Sequence, residues 1–228
     1  MLALAATLAL LAQAPQSGAA GEKGKVSGKV TISGLAPKLA NLPVTRDIKS
    51  CGNNKPDESL VVGQAGGVKN AVVWIADGPK PPRGFKQKYR LDQKNCEFTP
   101  HMVAMPEGGV LEVVNSDKLF HNVHARQGEK TIFNYAMPVP DYTIPKQLKS
   151  AERLRVSCDV HPWMRAWVDV LPTIAFAVTD DTGTYTIEGV PPGKHKVRLW
   201  HERLGEKEEE VEVVDGQTST LDVPLTPR

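Results

Sequence analysis

Cys158-Asp159-Val160-His161-Pro162-Trp163-Met164 places a thiolate, an imidazole and a thioether within seven residues. A soft thiolate beside imidazole nitrogen suits copper, and a weak axial thioether is the addition that marks blue-copper sites. Such a site needs a second imidazole from elsewhere in the chain. His121-Asn122-Val123-His124 offers it, just after the strand-like stretch Val110–Val114 and the turn Asn115-Ser116-Asp117. The residues therefore read as His121, Cys158 and His161 in a trigonal set with Met164 axial. One copper ion held there would cycle between Cu(I) and Cu(II), and a site whose geometry barely changes opposes electron transfer little.

Two segments carry a family resemblance. Phe120-His121-Asn122-Val123-His124 and Cys158-x-x-His161-Pro162-x-Met164 closely resemble the ligand segments of amicyanin, a small cupredoxin. Phe98-Thr99-Pro100, Glu107-Gly108 and Asn115-Ser116-Asp117 are similar to the opening strands of amicyanin and plastocyanin-type domains, so the likeness runs from about Lys88 to Leu171. It implies a Greek-key β-sandwich with one type 1 copper. The ligand role goes to His121 rather than His124, because in amicyanin the first His of the run is the ligand. Cys158, His161 and Met164 match the short ligand loop position by position. The resemblance also implies that Asn122 ties the two ligand loops together, a bond of the kind that orients ligands and tunes potential. His161 would be the electron port, its ring edge near the surface, with Pro162 and Trp163 on an apolar rim for brief docking with redox partner proteins. Such encounters usually bury less than about 1,200 Å². Pro162 has no N–H and cannot donate to the thiolate. Phe120 stands where amicyanin has Pro, which alters packing beside the site without removing a ligand.

Each of these residues also has a plainer reading. Cys158 could be a small buried hydrophobe or a disulfide half, and His121 and His161 hydrogen-bonded loop histidines. Zinc is a rival metal for Cys and two His, but the Met at the axial position favours copper. Cys51 and Cys96 are expected to form a disulfide between the first and second blocks; the alternative is a second metal site using Cys96 and His101. Trp167 reads as a core residue, His195 as part of a solvated face, and His201 as a structural hydrogen-bonding residue.

The elements that would position this set are all β. Gly and Pro together number 37 and punctuate short runs rich in Val, Ile and Thr. Val26, Gly28, Val30 and Ile32 alternate in one strand, and another runs from Val68 to Ile75, giving a first block over 25–84. The copper block spans 88–171, with a Pro-rich loop expected between Tyr135 and Lys149. In 173–228 the period of two continues through Tyr185 and Ile187, Val197 and Leu199, Val211 and Val213, and Leu221, Val223 and Leu225, with turns at Asp180-Asp181-Thr182-Gly183, Pro191-Pro192-Gly193 and Asp215-Gly216. The acidic run Glu206 to Glu210 reads as an exposed turn or edge strand. This last block is similar to the carboxypeptidase regulatory-like, transthyretin-type β-sandwich. Four short strands bury too little to stand alone, so the first block is expected to complete a sandwich split by insertion of the copper domain.

Composition narrows the function classes. Lys and Arg total 28 against 26 Asp and Glu, a net charge of +2 that selects neither nucleic acid nor an acidic membrane. The run Leu2 to Ala12 has signal-peptide length and is too short to span a bilayer, so 1–20 reads as an export signal and the mature chain as periplasmic or otherwise exported, with no membrane span. Six His without a His-x-His pair do not suit a trinuclear oxidase. No paired carboxylates, phosphate loop or nucleophile elbow suggests an enzyme. The expectation is a non-enzymatic electron carrier. The alternatives are a copper trafficking or sensing protein, or a structural or interaction module with a non-redox metal.

Overall fold

The computed structural model describes residues 22–227, so the expected export signal lies outside the described residues. The chain opens with β1 (Gly24–Ile32), β2 (Leu42–Pro43), the helical turn α1 (Ile48–Cys51), β3 (Asn54–Lys55) and β4 (Val72–Ile75). A central series follows: β5 (Lys88–Lys94), β6 (Glu97–Thr99), β7 (Met102–Pro106), β8 (Val110–Asn115), β9 (His121–Gln127), β10 (Lys130–Met137), β11 (Tyr142–Gln147), β12 (Glu152–Ser157) and β13 (Arg165–Leu171). The chain closes with β14 (Phe176–Val178), β15 (Thr184–Val190), β16 (Gly193–His201), β17 (Gly205–Val213), β18 (Thr218–Thr220) and β19 (Val223–Leu225). The molecule is all-β, as its composition implies.

Two sandwiches result. The central one faces a sheet of order β10-β9-β12-β13-β7 against one of order β11-β8-β5-β6. Its core holds Leu91, Phe98, Met105, Leu111, Val123, Leu154 and Val168. The second sandwich is built from both ends of the chain. In one sheet β1 pairs with β15, β18 and β19; in the other the order is β14-β4-β16-β17. Alternation sets the register: Val26 lies opposite Ile187 and Gly28 opposite Tyr185, so the apolar face of β1 turns inward with that of β15.

Two strands show why some runs are apolar throughout. Val72-Val73-Trp74-Ile75 and Met102-Val103-Ala104-Met105-Pro106 are buried at every position. Val73 and Ile75 enter the core of the end-built sandwich, while Val103 and Met105 enter the central core. Their alternate residues, Val72 and Trp74, Met102 and Ala104, meet in a third cluster with Leu171 and Trp200. A strand covered on both faces has no polar period. The junction is sealed by Trp167 edge-on to Trp200 at 5.0 Å between ring centroids and by the Arg153 guanidinium 4.1 Å over Trp200. Trp167, expected in the core, is half-buried here and donates Nε1–H to Glu202 at 2.9 Å.

Three local differences from the sequence reading have physical causes. The expected loop between Tyr135 and Lys149 contains β11, which pairs antiparallel with β8. Its place at the sheet edge lets Pro145 sit opposite Glu112 without a missing ladder bond. The strand expected from Val68 starts at Val72, after Asn70 has taken a left-handed conformation with φ 64°. Residues 42–55 do not join the end-built sandwich. They form a short hairpin and helical turn whose Val44 and Cys51 pack in the central core. The acidic run lies in β17, an edge strand.

Candidate metal centre

Backbone geometry gathers the candidate ligands at one end of the central sandwich. His121 opens β9, Cys158 follows β12, and His161 and Met164 lie in the connection to β13. That connection is tight: the N–H of Met164 donates to the His161 carbonyl at 2.9 Å, and the N–H of Cys158 to the Met164 carbonyl at 3.3 Å. His121 and His161 are fully buried, and Met164 and Cys158 nearly so.

The inward-facing atoms form a triangle. His121 Nδ1 and His161 Nδ1 are 2.9 Å apart, and Cys158 Sγ lies 4.0 Å from the first and 3.7 Å from the second. The point equidistant from all three is about 2.1 Å from each, inside the range of about 2.0–2.3 Å at which a first-row ion sits from imidazole nitrogen and thiolate sulfur.

The outer nitrogens are both engaged. His121 Nε2 donates to Asp117 Oδ2 at 3.0 Å, and His161 Nε2 to Asp47 Oδ2 at 2.9 Å. Asp117 is itself fixed. Its carboxylate accepts the N–H groups of Asn95 and Cys96, each at 2.7 Å, and its own N–H donates to Asn115 Oδ1 at 3.0 Å. Carboxylate partners of this kind fix the imidazole tautomer and raise ligand basicity. Asn122 joins the two ligand segments: its Oδ1 accepts the Asp159 N–H at 2.6 Å and the Cys158 thiol at 3.3 Å, while its Nδ2 donates to Asn134 and Asp159.

The charges agree with this bonding. Burial works against a protonated His121, but its hydrogen bonds to Asp117 and Cys158 outweigh burial and raise its pKa to about 9. Burial raises the Cys158 thiol, yet the bond to His121 and the backbone N–H groups of Asn122 and His161 pull it below its ordinary value. Burial and the adjacent His121 charge hold His161 below its ordinary value despite Asp47. Two imidazoles and a thiol held below its ordinary pKa are the donor types a soft cation takes, so the residues fit copper.

Some expected placements fail. The ring edge of His161, expected near the surface, is buried, because the turn carrying Asp47 covers it. Trp163 is not on a docking rim. It is buried, its ring is 5.1 Å from that of His161, and its Nε1–H donates to the Cys96 carbonyl at 3.0 Å. Pro162 alone of that pair is exposed. Cys96 cannot serve a second metal site with His101, because it is bonded to Cys51 with an S–S distance of 2.06 Å. His101 turns instead to Glu202. His124 points to Asp159 and Thr131 and away from the triangle. Phe120 is half-exposed.

Sequence reasoning missed Asp47, which lies 114 residues from His161 and belongs to no motif. Asp117 reads in sequence only as part of a turn; its Asn-x-Asp spacing, four residues before His121, is the signal that could reveal its role.

Residues 162–226 match the carboxypeptidase regulatory-like domain. That span begins inside the ligand loop and leaves out β1 and β4, which complete the end-built sandwich. No curated protein matches the chain. Among solved structures the chain is similar to a purple cupredoxin from Nitrosopumilus maritimus at 18% identity, over 36% of this chain and 97% of that one, with a TM-score of 0.32. It is similar to the amicyanin of Paracoccus versutus at 19% identity, over 43% and 96% of the two chains, with a TM-score of 0.34. A copper-containing nitrite reductase from Thermus scotoductus is similar at 17% identity over 42% of this chain and 25% of that one, with a TM-score of 0.32. Among the described residues, no helix is long and apolar enough to cross a membrane.

Proposed function

We propose that this protein is an exported, non-enzymatic electron carrier with one type 1 copper, which His121, Cys158, His161 and Met164 would hold. The observation that carries the reading is the buried triangle of two Nδ1 atoms and one Sγ, with both imidazoles oriented by carboxylates. Bound copper would supply a one-electron couple. The chain's own residues do the rest. Asp117 and Asp47 hold the Nδ1 atoms inward, Asn122 fixes the spacing of the two ligand segments, and burial keeps water from Cys158 Sγ. A site held on the ends of sheet strands moves little between oxidation states, which is what fast electron exchange with redox partner proteins requires.

Burial also bears on the trafficking alternative. A protein that hands metal on needs ligands that a recipient can reach, and these four side chains are covered.

The test is a visible absorption and EPR spectrum of the mature protein after Cu(II) addition, beside Cys158→Ser. An intense visible band with narrow copper hyperfine splitting, absent from Cys158→Ser, is the expected result. A pale, ordinary Cu(II) spectrum, or a preference for zinc, would overturn the electron-carrier reading.

A further inference from the structure

The carboxylates that orient the two imidazoles come from different places, and one disulfide joins them. Asp117 belongs to the turn that leads into His121. Asp47 comes from outside the central series, on the strap of residues 44–51. This strap is anchored at both ends. Val44 donates its N–H to the Asn53 carbonyl at 3.1 Å, and Val44 and Cys51 are buried in the central core. The Asp47 carbonyl accepts the N–H groups of Ser50 and Cys51 at 2.8 and 2.9 Å, closing the turn at the residue that reaches His161. Cys51 then bonds to Cys96, whose own N–H donates to Asp117. A continuous path of contacts therefore runs His161–Asp47–Cys51–Cys96–Asp117–His121 around the ligand triangle.

We infer that the strap is a disulfide-anchored cover for the metal centre and that Asp47 is a positioning residue for His161, selecting the tautomer that faces the metal and closing the ligand's outer edge. Half of the Asp47 side chain is exposed while His161 is not exposed at all, so the strap separates the imidazole from water. Removing Asp47 frees the His161 ring and uncovers Nε2. Cutting the Cys51–Cys96 bond loosens the whole strap without altering any ligand. An anionic partner favours the more highly charged oxidation state, so its loss weakens Cu(II) binding more than Cu(I) binding. This inference rests on the copper reading, but one of its readouts needs no metal.

The experiment compares the full mature chain with Asp47→Ala, Asp47→Asn and the double variant Cys51→Ser/Cys96→Ser. Cu(II) and Cu(I) affinities are measured for each, together with the rate at which a maleimide alkylates Cys158, the single free thiol, in metal-free protein. Asp47→Ala is expected to weaken Cu(II) binding about 10- to 100-fold, as loss of such a partner does elsewhere. Cu(I) binding should fall less, so the reduction potential rises. Asp47→Asn keeps an acceptor oxygen for His161 without the charge, and should restore Cys158 protection but not the full Cu(II) affinity. The double serine variant should alkylate faster than wild type. Unchanged Cu(II) affinity in Asp47→Ala together with unchanged Cys158 protection in the double variant would overturn the inference and leave the copper reading intact. A wild-type protein that gives no intense visible band overturns the copper reading, and the alkylation rates still decide the role of the strap.

Discussion

The two sandwiches bury polar groups to different ends. In the end-built sandwich, Thr179 donates its hydroxyl to the Val68 carbonyl at 2.6 Å and accepts the Ala71 N–H at 2.9 Å, and Tyr185 donates to the Leu221 carbonyl at 2.7 Å. These groups tie distant stretches of backbone to one another. Burial raises the Tyr185 phenol well above its ordinary value, so it stays neutral in that role. In the central sandwich, His121, Asn122 and His161 find side chains as partners: Asp117, Asp159 and Asp47. A buried polar group satisfied by backbone is accounted for by the fold. A buried set satisfied by carboxylates and converging on one triangle of donor atoms does more than tie backbone together, and the copper proposal rests on it.

The strongest way to break this contrast is to ask whether the two sandwiches stand apart. Trp200 is buried between Trp167 and Arg153, where the two units meet. Trp200→Ala is expected to cost about 3–5 kcal/mol of stability in urea unfolding. A loss under about 1 kcal/mol would show that the units do not depend on this contact.

The next effect sharpens the contrast by pH. His201, buried at the end of β16, is driven by burial down to a pKa of about 4, with neighbouring His101 adding to the shift and Glu202 opposing it. The unfolded chain, titrating near 6.5, binds a proton that the folded chain refuses. Its contribution is therefore complete above pH 6.5 and is lost as the pH falls towards 4, at most about 3 kcal/mol. His101 runs the other way. Burial lowers it, but Glu202 and Glu58 outweigh burial and raise it. Its contribution is complete below pH 6.5 and is lost as the pH rises through its raised value. Urea midpoints of His201→Gln across pH 4 to 8 should show a shallower acid limb than wild type; an identical slope would refute the assignment.

The smallest effect tests the backbone-tying role. Thr179→Val keeps the shape but removes two buried hydrogen bonds, and should cost about 1–3 kcal/mol by the same measurement. The Cu(II) spectrum should not change.

Much of the fold is legible because side-chain period and burial agree. β15 and β16 alternate, and their inward residues, Tyr185, Ile187, Val197 and Leu199, lie in one core. β4 and β7 are harder to read: covered on both faces, they show apolar runs that say nothing about which residue faces which core. β11 was hidden by Pro145, which only an edge position tolerates. At the metal centre, Cys158, His161 and Met164 share one connection, so spacing alone groups them. The choice of His121 over His124 needed a resemblance, because neighbouring positions in the run are both plausible donors by type. Asp47 could not be read at all. Its role depends on where the Cys51–Cys96 disulfide carries the strap, and that pairing, though expected, does not show in sequence which side chain meets His161.

The end-built sandwich also sets an order of synthesis. β1 finds its antiparallel partner only in β15, so Lys29 waits for Thr184 and Gly24 for Val190. At typical rates of synthesis that wait is about 10–30 s. The strands of the central unit are complete at Leu171, before β15 exists. The central strands and all four candidate ligands therefore precede β15 in the chain, and the end-built sandwich can close only after the ligand-bearing unit has been made.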